Sequence, residues 1–185
     1  YHTYINKGLA RGEALSPKMA DTVQELTGLL GRPLQQDMAL RRNASVKNVL
    51  GAFGINGGKD LESSNLTDEQ LQSVVGKVYT EKAFSSTTYD SSQIINMQVE
   101  AQRSGALRMD IRASKKRAKG MLIPANTAEG EVILQQGTQY LITGARMNPD
   151  YSSTNSPHEA RIILTMDVIG TAPPITPPVI SGAGF

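Results

Sequence analysis

The sequence predicts an α+β protein, because the two halves of the chain carry different apolar patterns. In the first half, apolar residues recur at the three- and four-residue spacing of helices that bury one face. In the second half, short stretches rich in β-forming residues alternate between apolar and polar side chains. Helices followed by a block of strands favour an α+β fold over a doubly wound sheet, in which the two would alternate.

The helices of the first half are marked by their ends as well as by their apolar spacing. Residues 4–9 place apolar side chains on one face of a first helix. Ser16 followed by Pro17 predicts the start of a second helix, with serine as the N-cap and proline at the first helical position. A third helix is predicted to begin at Thr67, where Gln70 completes a capping box three residues later.

Strands are predicted from residue 37 onward by β-propensity and alternation. They lie at residues 37–42, 77–80, 83–88, 106–112, 131–134, 139–143 and 161–168. Residues 51–60 carry four glycines and predict a loop. The Pro-rich stretch 172–179 predicts a linker or tail, so the catalytic or binding domain is expected at residues 1–170 and the tail at 171–185.

Composition limits the classes of function. The chain has 185 residues and no run of the eighteen or more apolar residues that a membrane helix needs, so no membrane span is expected. It has no Cys and only two His, which excludes disulfides and thiolate nucleophiles and leaves few ligands for a metal. A net charge of +2 is too weak to indicate a nucleic acid partner.

Two further features of the sequence are a basic run and the identity of its first residue. The basic run at residues 115–119 is interpreted as a solvated hairpin tip or strand edge, with a rim that steers an anionic ligand as the alternative. The chain begins at Tyr1 without a Met and looks like a piece excised from a larger polypeptide.

Three short motifs carry the chemistry, and their order matters more than any one of them. Arg41 and Arg42 follow Leu40 at the end of a predicted strand. Residues 84–88 read Phe-Ser-Ser-Thr-Thr, and residues 129–131 read Glu-Gly-Glu before an apolar strand. Taken alone, an arginine pair is usually surface charge, a Ser/Thr run is usually structural, and Glu-Gly-Glu is usually a solvated turn.

Together, in this order, the motifs resemble the bacterial mono-ADP-ribosyltransferase exotoxin family. Its pattern is an arginine after a hydrophobic strand, then Phe-x-Ser-Thr-Ser, then Glu-x-Glu before an apolar strand. Residues 4–11 are also similar to the family's Ile-Asn-x-x-Leu-Arg helix, with one residue inserted before the arginine. The resemblance runs from about residue 1 to about residue 169, and Thr88 departs from the pattern by replacing its last serine with another hydroxyl residue.

The resemblance implies a fold and a mode of action. The fold would be ADP-ribosyltransferase-like, with N-terminal helices packed on a two-sheet mixed β core. NAD would be the co-substrate, with no metal, and the protein would be secreted or delivered into a target cell as a toxin or effector. Its partner would be a protein substrate, such as actin, a small GTPase or another protein of the target cell.

An arginine is well suited to bind NAD, because NAD carries a negatively charged pyrophosphate and a guanidinium is always positively charged. Arg41 fits that role, since the family's arginine directly follows the hydrophobic strand residue, here Leu40. Arg42 is the adjacent possibility, because alternation along a strand points only one of the two into a given cleft.

A carboxylate can assist cleavage of the nicotinamide–ribose bond, because loss of nicotinamide builds positive charge on the ribose, as in glycoside hydrolysis. By resemblance, Glu131 is the residue that stabilises this cation, and Ser86 hydrogen-bonds and orients it. If the segment is extended, alternation places Glu129 on the same side as Glu131, where it would help deprotonate the acceptor. A glutamate at position 129 is typical of arginine-modifying members.

The remaining site residues are implied by the resemblance at the donor side. Asn6 would reach NAD from the first helix. Thr87 is expected among the cofactor contacts, and together with Thr88 it would serve the strand and the wall of the nicotinamide pocket. Two alternatives remain open: an NAD glycohydrolase on the same fold, for which Glu129 is dispensable, and a non-catalytic assembly or binding module that only echoes the motifs.

Overall fold

The computed structural model describes residues 2–55, 66–89, 106–123, 130–151 and 160–180. The helices in these segments are α1 (His2–Arg11), α2 (Pro17–Leu30), α3 (Val46–Gly51) and α4 (Asp68–Gln72). The strands are β1 (Met38–Ser45), β2 (Val78–Thr80), β3 (Ser85–Thr88), β4 (Ala106–Ala113), β5 (Gly120–Leu122), β6 (Glu131–Leu134), β7 (Thr138–Met147) and β8 (Ile162–Thr171). Two helices precede the first strand, and seven strands follow α4 without a further helix in the described segments, which confirms the α+β prediction. None of the helices in the described segments has the length and apolar character that crossing a membrane requires.

The two helix starts predicted from capping residues are confirmed. Ser16 is the N-cap of α2, and its hydroxyl accepts a hydrogen bond from the Met19 backbone N–H at 3.4 Å. Thr67 and Gln70 form both hydrogen bonds of the capping box at α4. Capping side chains satisfy backbone N–H groups that the first turn of a helix cannot satisfy itself, so they fix where each helix begins.

The strands form one mixed eight-stranded sheet in the order β2-β7-β8-β4-β1-β3-β6-β5. Strands β4 and β8 are parallel, and the other neighbouring pairs are antiparallel. The five strands from β2 to β1 meet the three strands β3, β6 and β5 where β1 pairs with β3, through the single register pair Arg41 and Thr88. The two sheets implied by the resemblance are thus two parts of one hydrogen-bonded sheet.

Two hydrophobic clusters hold the fold together. The larger one packs α3 and α4 against the five-stranded part and contains Leu40, Val49, Leu71 and Met109, each nearly fully buried. The smaller one packs α1 and α2 against the residues that enter β3, including Phe84. The larger cluster also includes Val132 and Leu134 of β6, so it spans the junction of the two parts of the sheet, where the site described below lies.

Three details of the chain path differ from the sequence prediction or refine it. Strand β5 is absent from the strands predicted from the sequence, because its three residues are extended by their pairing with β6 at the sheet edge. The basic run before it is a turn with exposed Lys115, Lys116 and Arg117, as the solvated interpretation predicts. The Pro-rich stretch 172–179 contacts the domain, because the Leu15 backbone N–H donates to the Pro178 carbonyl at 2.8 Å and the Ile180 backbone N–H donates to the Leu15 carbonyl at 2.9 Å.

Candidate active site

The register of three strands places the predicted site residues on one face of the sheet. Arg41 in β1 lies opposite Thr88 in β3, and Thr88 lies opposite Glu131 in β6. Directly opposed residues of antiparallel strands share a face, as do residues two apart on one strand, so Ser86 joins this row. Two strand spacings separate the backbones of Arg41 and Glu131, about 10 Å.

Ser86 and Glu131 are in direct contact. The Ser86 hydroxyl donates to Glu131 Oε1 at 2.5 Å, and both residues are half-buried. A short hydrogen bond to a carboxylate is stronger than one between neutral groups, so it restricts the rotamer of the acid. The bond occupies one carboxylate oxygen.

Arg41 lines a cavity beside this row. The cavity has a volume of about 300 Å³, and its lining residues are Ala39, Leu40, Arg41, Tyr89, Asp110, Ile111, Arg112 and Thr165. The Arg41 side chain is 40% exposed, and its Nε lies 3.3 Å from Asp110 Oδ1. Ser86 and Glu131 lie outside this cavity, on the adjoining strands of the same face.

Gly130 shapes the entry to β6 and explains the middle residue of the Glu-Gly-Glu motif. Its φ of +54° lies in the left-handed region that L side chains rarely adopt, and a Cβ there would lie 2.9 Å from the Tyr89 ring. The chain is therefore not extended at Gly130, and the simple alternation expected to align Glu129 with Glu131 does not hold through it. Glu129 itself lies outside the described residues.

Arg42 points to the opposite face, into a buried polar cluster. Its Nη1 donates to Glu81 Oε2 at 2.9 Å and to the Ser85 hydroxyl at 2.6 Å. The Tyr79 hydroxyl donates to Glu81 Oε2 at 3.2 Å. The Tyr140 hydroxyl donates to Ser85 Oγ at 3.1 Å. Because these contacts use Arg42 inside the fold, the geometry favours Arg41 as the arginine that faces a ligand.

The buried cluster shifts the acidity of its members. Burial raises the pKa of Tyr140 to about 12, although the Arg42 charge opposes the shift. Burial, with the nearby Glu81 charge, raises the pKa of Tyr79 still further. Burial is the largest influence and disfavours the charged form of Arg42, but Glu81, Tyr140 and Tyr79 together outweigh it and keep the pKa of Arg42 above its ordinary value.

Tyr140 makes stability depend on alkaline pH. Its folded-state pKa lies above the ordinary value near 10, so its contribution is complete below about pH 10 and is lost as pH rises toward 12. We expect Tyr140→Phe to reduce this alkaline loss in the free energy of unfolding, measured by urea titration at half-unit steps from pH 8 to 11. Tyr4→Phe is the control, because Tyr4 is exposed. An unchanged pH slope in Tyr140→Phe would contradict the assignment.

Two other predicted cofactor contacts serve the strand in this structure. The Thr87 hydroxyl is buried and donates to the Val132 carbonyl at 2.7 Å, on the face opposite Ser86. This placement favours a structural role for Thr87 within the sheet, and its cofactor contact stays a prediction. Asn6 Oδ1 accepts a hydrogen bond from the Phe84 backbone N–H at 3.3 Å, which ties α1 to the entry of β3. Within the described segments, no group of three His, Asp or Glu residues is placed to hold a metal ion.

Sequence reasoning missed three residues of this region. Tyr89 and Asp110 line the cavity with Arg41, and Glu81 anchors the cluster on the other face. The alternation of β4 puts Asp110 on its polar face, but only the pairing of β4 with β1 brings it to Arg41. Nothing local marks Glu81, because its partner Arg42 lies thirty-nine residues away in sequence.

The whole-chain comparison decides the family. Residues 3–170 match the family model described as ADP-ribosyltransferase exoenzyme, which is nearly the entire chain. The chain belongs to this family. The resemblance read from the motifs is thereby confirmed. No curated protein sequence matches the chain.

Solved structures of ADP-ribosylating toxins share the fold. The enzymatic component C2-I of the C2-toxin from Clostridium botulinum aligns over 92% of this chain and 40% of its own, at 16% identity and a TM-score of 0.63. The toxin BECa of C. perfringens, solved with NADH, aligns over 90% and 40% at 19% identity and a TM-score of 0.62. Plx2a from Paenibacillus larvae aligns over 91% and 80% at 14% identity and a TM-score of 0.59. The chain thus spans less than half the length of C2-I and BECa.

Proposed function

We propose that this chain transfers ADP-ribose from NAD to a protein side chain, releasing nicotinamide. The observation that carries the proposal is the shared face of Arg41, Ser86 and Glu131, with Ser86 bonded to Glu131. Membership of the ADP-ribosyltransferase exoenzyme family supports the same activity. The acceptor favoured by a glutamate at position 129 is an arginine.

In the proposed reaction, Arg41 at one end of the row binds NAD and Glu131 at the other end acts on the bond that breaks. Arg41 would bind the pyrophosphate through its guanidinium donors, which places the nicotinamide ribose toward Glu131. As the C–N glycosidic bond breaks, its electron pair leaves with nicotinamide, and the Glu131 carboxylate stabilises the positive charge left on the sugar. The acceptor nitrogen then attacks the anomeric carbon, and Glu129 accepts the proton that it loses.

The partner and its location are proposed from the same family. A toxin or effector of this class would act on a protein of the target cell, with actin and small GTPases as candidates. The protein would be secreted or delivered into that cell. Because the chain spans 40% of C2-I and of BECa, we also propose that it forms the catalytic part of a larger polypeptide.

The test uses NAD labelled on its adenylate half, incubated with the chain and a cell lysate. Label on a lysate protein supports the transferase, and mass spectrometry of that protein identifies the modified residue. Nicotinamide release without protein label would replace the transferase by an NAD glycohydrolase. Absence of NAD binding would replace both by a non-catalytic module.

Glu129→Ala separates transfer from bond cleavage. We expect this change to lower protein labelling by roughly a hundredfold, the usual size of a general-base effect, while nicotinamide release into water falls much less. Parallel assays of label transfer and nicotinamide release from one preparation measure both rates. Equal losses in the two assays would refute the acceptor role of Glu129.

A further inference from the structure

Among the described residues, Asp110 is the acidic residue that pairs with Arg41. The two residues are register partners on β4 and β1, and the Arg41 Nε lies 3.3 Å from Asp110 Oδ1. The contact is an ion pair without hydrogen-bond geometry, because Asp110 Oδ1 accepts no hydrogen bond among the described residues. It lies at the Nε side of the guanidinium and leaves the two terminal nitrogens for other partners. The Arg41 side chain is long and 40% exposed, and without this contact its end would sample many rotamers. The contact therefore restricts where the guanidinium lies.

Arg108 holds Asp110 from the other side. Two residues earlier on β4, and thus on the same face, its Nη2 donates to Asp110 Oδ2 at 3.1 Å, and its Nε lies 3.1 Å from Oδ1. The Arg108 side chain is only 17% exposed, against 40% for Arg41. The carboxylate is therefore held by the more buried arginine through the hydrogen bond to Oδ2, and its Oδ1 lies within ion-pair distance of both arginines.

We infer that Asp110 is a positioning residue: backed by Arg108, it fixes the Arg41 guanidinium so that its terminal N–H groups face the NAD pyrophosphate. The inference rests on the proposed function. A guanidinium binds phosphate best through two parallel N–H donors, and a side chain already held in that orientation loses less entropy on binding. Asp110 acts through Arg41, and Arg108 acts through Asp110.

A competing interpretation treats Asp110 only as a negative charge that repels the pyrophosphate. The two interpretations predict opposite effects for a change that removes the charge, and different effects for a change that keeps it. Asp110→Asn removes the charge, and Asp110→Glu keeps it but moves the carboxylate by one methylene. The pair of variants therefore separates position from charge.

The experiment measures KM and kcat for NAD, by nicotinamide release, in the wild type and in both variants. We expect Asp110→Glu and Asp110→Asn each to raise KM by roughly three- to tenfold, with kcat changed less than KM. A lowered KM in Asp110→Asn with an unchanged KM in Asp110→Glu would overturn the inference in favour of repulsion. A loss confined to kcat, or no change in either variant, would also overturn it.

The matched controls are Asp167→Asn and Asp167→Glu on the neighbouring strand β8. Asp167 accepts two hydrogen bonds from Arg112, at 2.6 Å and 3.0 Å, on the same face of the sheet. We expect both control variants to change KM by less than the Asp110 variants do, because Arg112 lines the cavity with Arg41 but is not the arginine assigned to the pyrophosphate. A rise in KM equal to that of the Asp110 variants would show a general loss of charge pairing and overturn the inference.

A double-mutant cycle with Arg41→Ala tests whether Asp110 acts through Arg41. Calorimetric titration with NAD, together with thermal unfolding of each variant, supplies readouts that do not depend on turnover. In the Arg41→Ala background, we expect Asp110→Glu to change the NAD Kd by less than twofold. A full effect in that background overturns the inference alone, whereas failure of the wild type to bind NAD overturns the proposed function as well.

Discussion

Replacing Glu131 with Gln is expected to lower nicotinamide release by about a hundredfold or more, with little change in KM or in the melting temperature. The amide retains an oxygen that can accept the 2.5 Å hydrogen bond from Ser86, so the side chain keeps its position. What is lost is the negative charge that would face the sugar cation. Removing one electrostatic stabiliser of a transition state costs on the order of a hundred- to a thousandfold in kcat.

Two variants make this result specific. Glu13→Gln is the control for a generic loss of charge, because Glu13 is exposed and pairs only with Arg11 at 3.4 Å among the described residues. It is expected to retain the wild-type rate. Ser86→Ala keeps the Glu131 charge but frees its rotamer, so we expect a loss smaller than that of Glu131→Gln. A Glu131→Gln enzyme that works at nearly the wild-type rate would show that another residue stabilises the cation.

Local rules were sufficient where the information is local. The bounds of β6 agree with the predicted residues 131–134, and α2 begins at Pro17 as Ser16 indicated. Capping and alternation depend on neighbours within four residues, so a single sequence contains them. The same rules missed α3, which is only six residues long, and β5, whose three residues are extended by their pairing with β6 rather than by their own pattern.

The choice between Arg41 and Arg42 required the structure. The sequence shows that adjacent strand residues face opposite sides, but not which side holds the ligand. Pairing of β1 with β3 assigns Arg41 to the face of Glu131, and the hydrogen bond to Glu81 assigns Arg42 to the interior. Such contacts join segments far apart in the chain, so they cannot be predicted from the local sequence pattern.

Glu81→Gln is expected to destabilise the fold by roughly 3 to 5 kcal/mol, the cost of leaving one partner of a buried ion pair without its counter-charge. Glu81 Oε2 accepts from Arg42 at 2.9 Å and from Tyr79 at 3.2 Å, while Oε1 accepts from the Ala83 backbone N–H at 3.2 Å. A neutral amide can replace part of these contacts but cannot balance the Arg42 charge. For a domain of this size, the melting temperature should fall by roughly 6 to 20 °C, measured by calorimetry at pH 7.

The exposed ion pair between Asp167 and Arg112 is the comparison for the destabilisation expected in Glu81→Gln. Asp167→Asn breaks a bidentate contact with Arg112, whose side chain is 70% exposed, and should cost less than about 1 kcal/mol. Replacing both buried partners, Glu81→Leu with Arg42→Met, should recover much of the loss, because no buried charge is then left unpaired. If Glu81→Gln costs no more than Asp167→Asn, water must reach Arg42 and the cluster is not a buried one. The same double variant keeps Arg41, Ser86 and Glu131, so NAD binding by it would show that the two arginines of β1 have separate tasks.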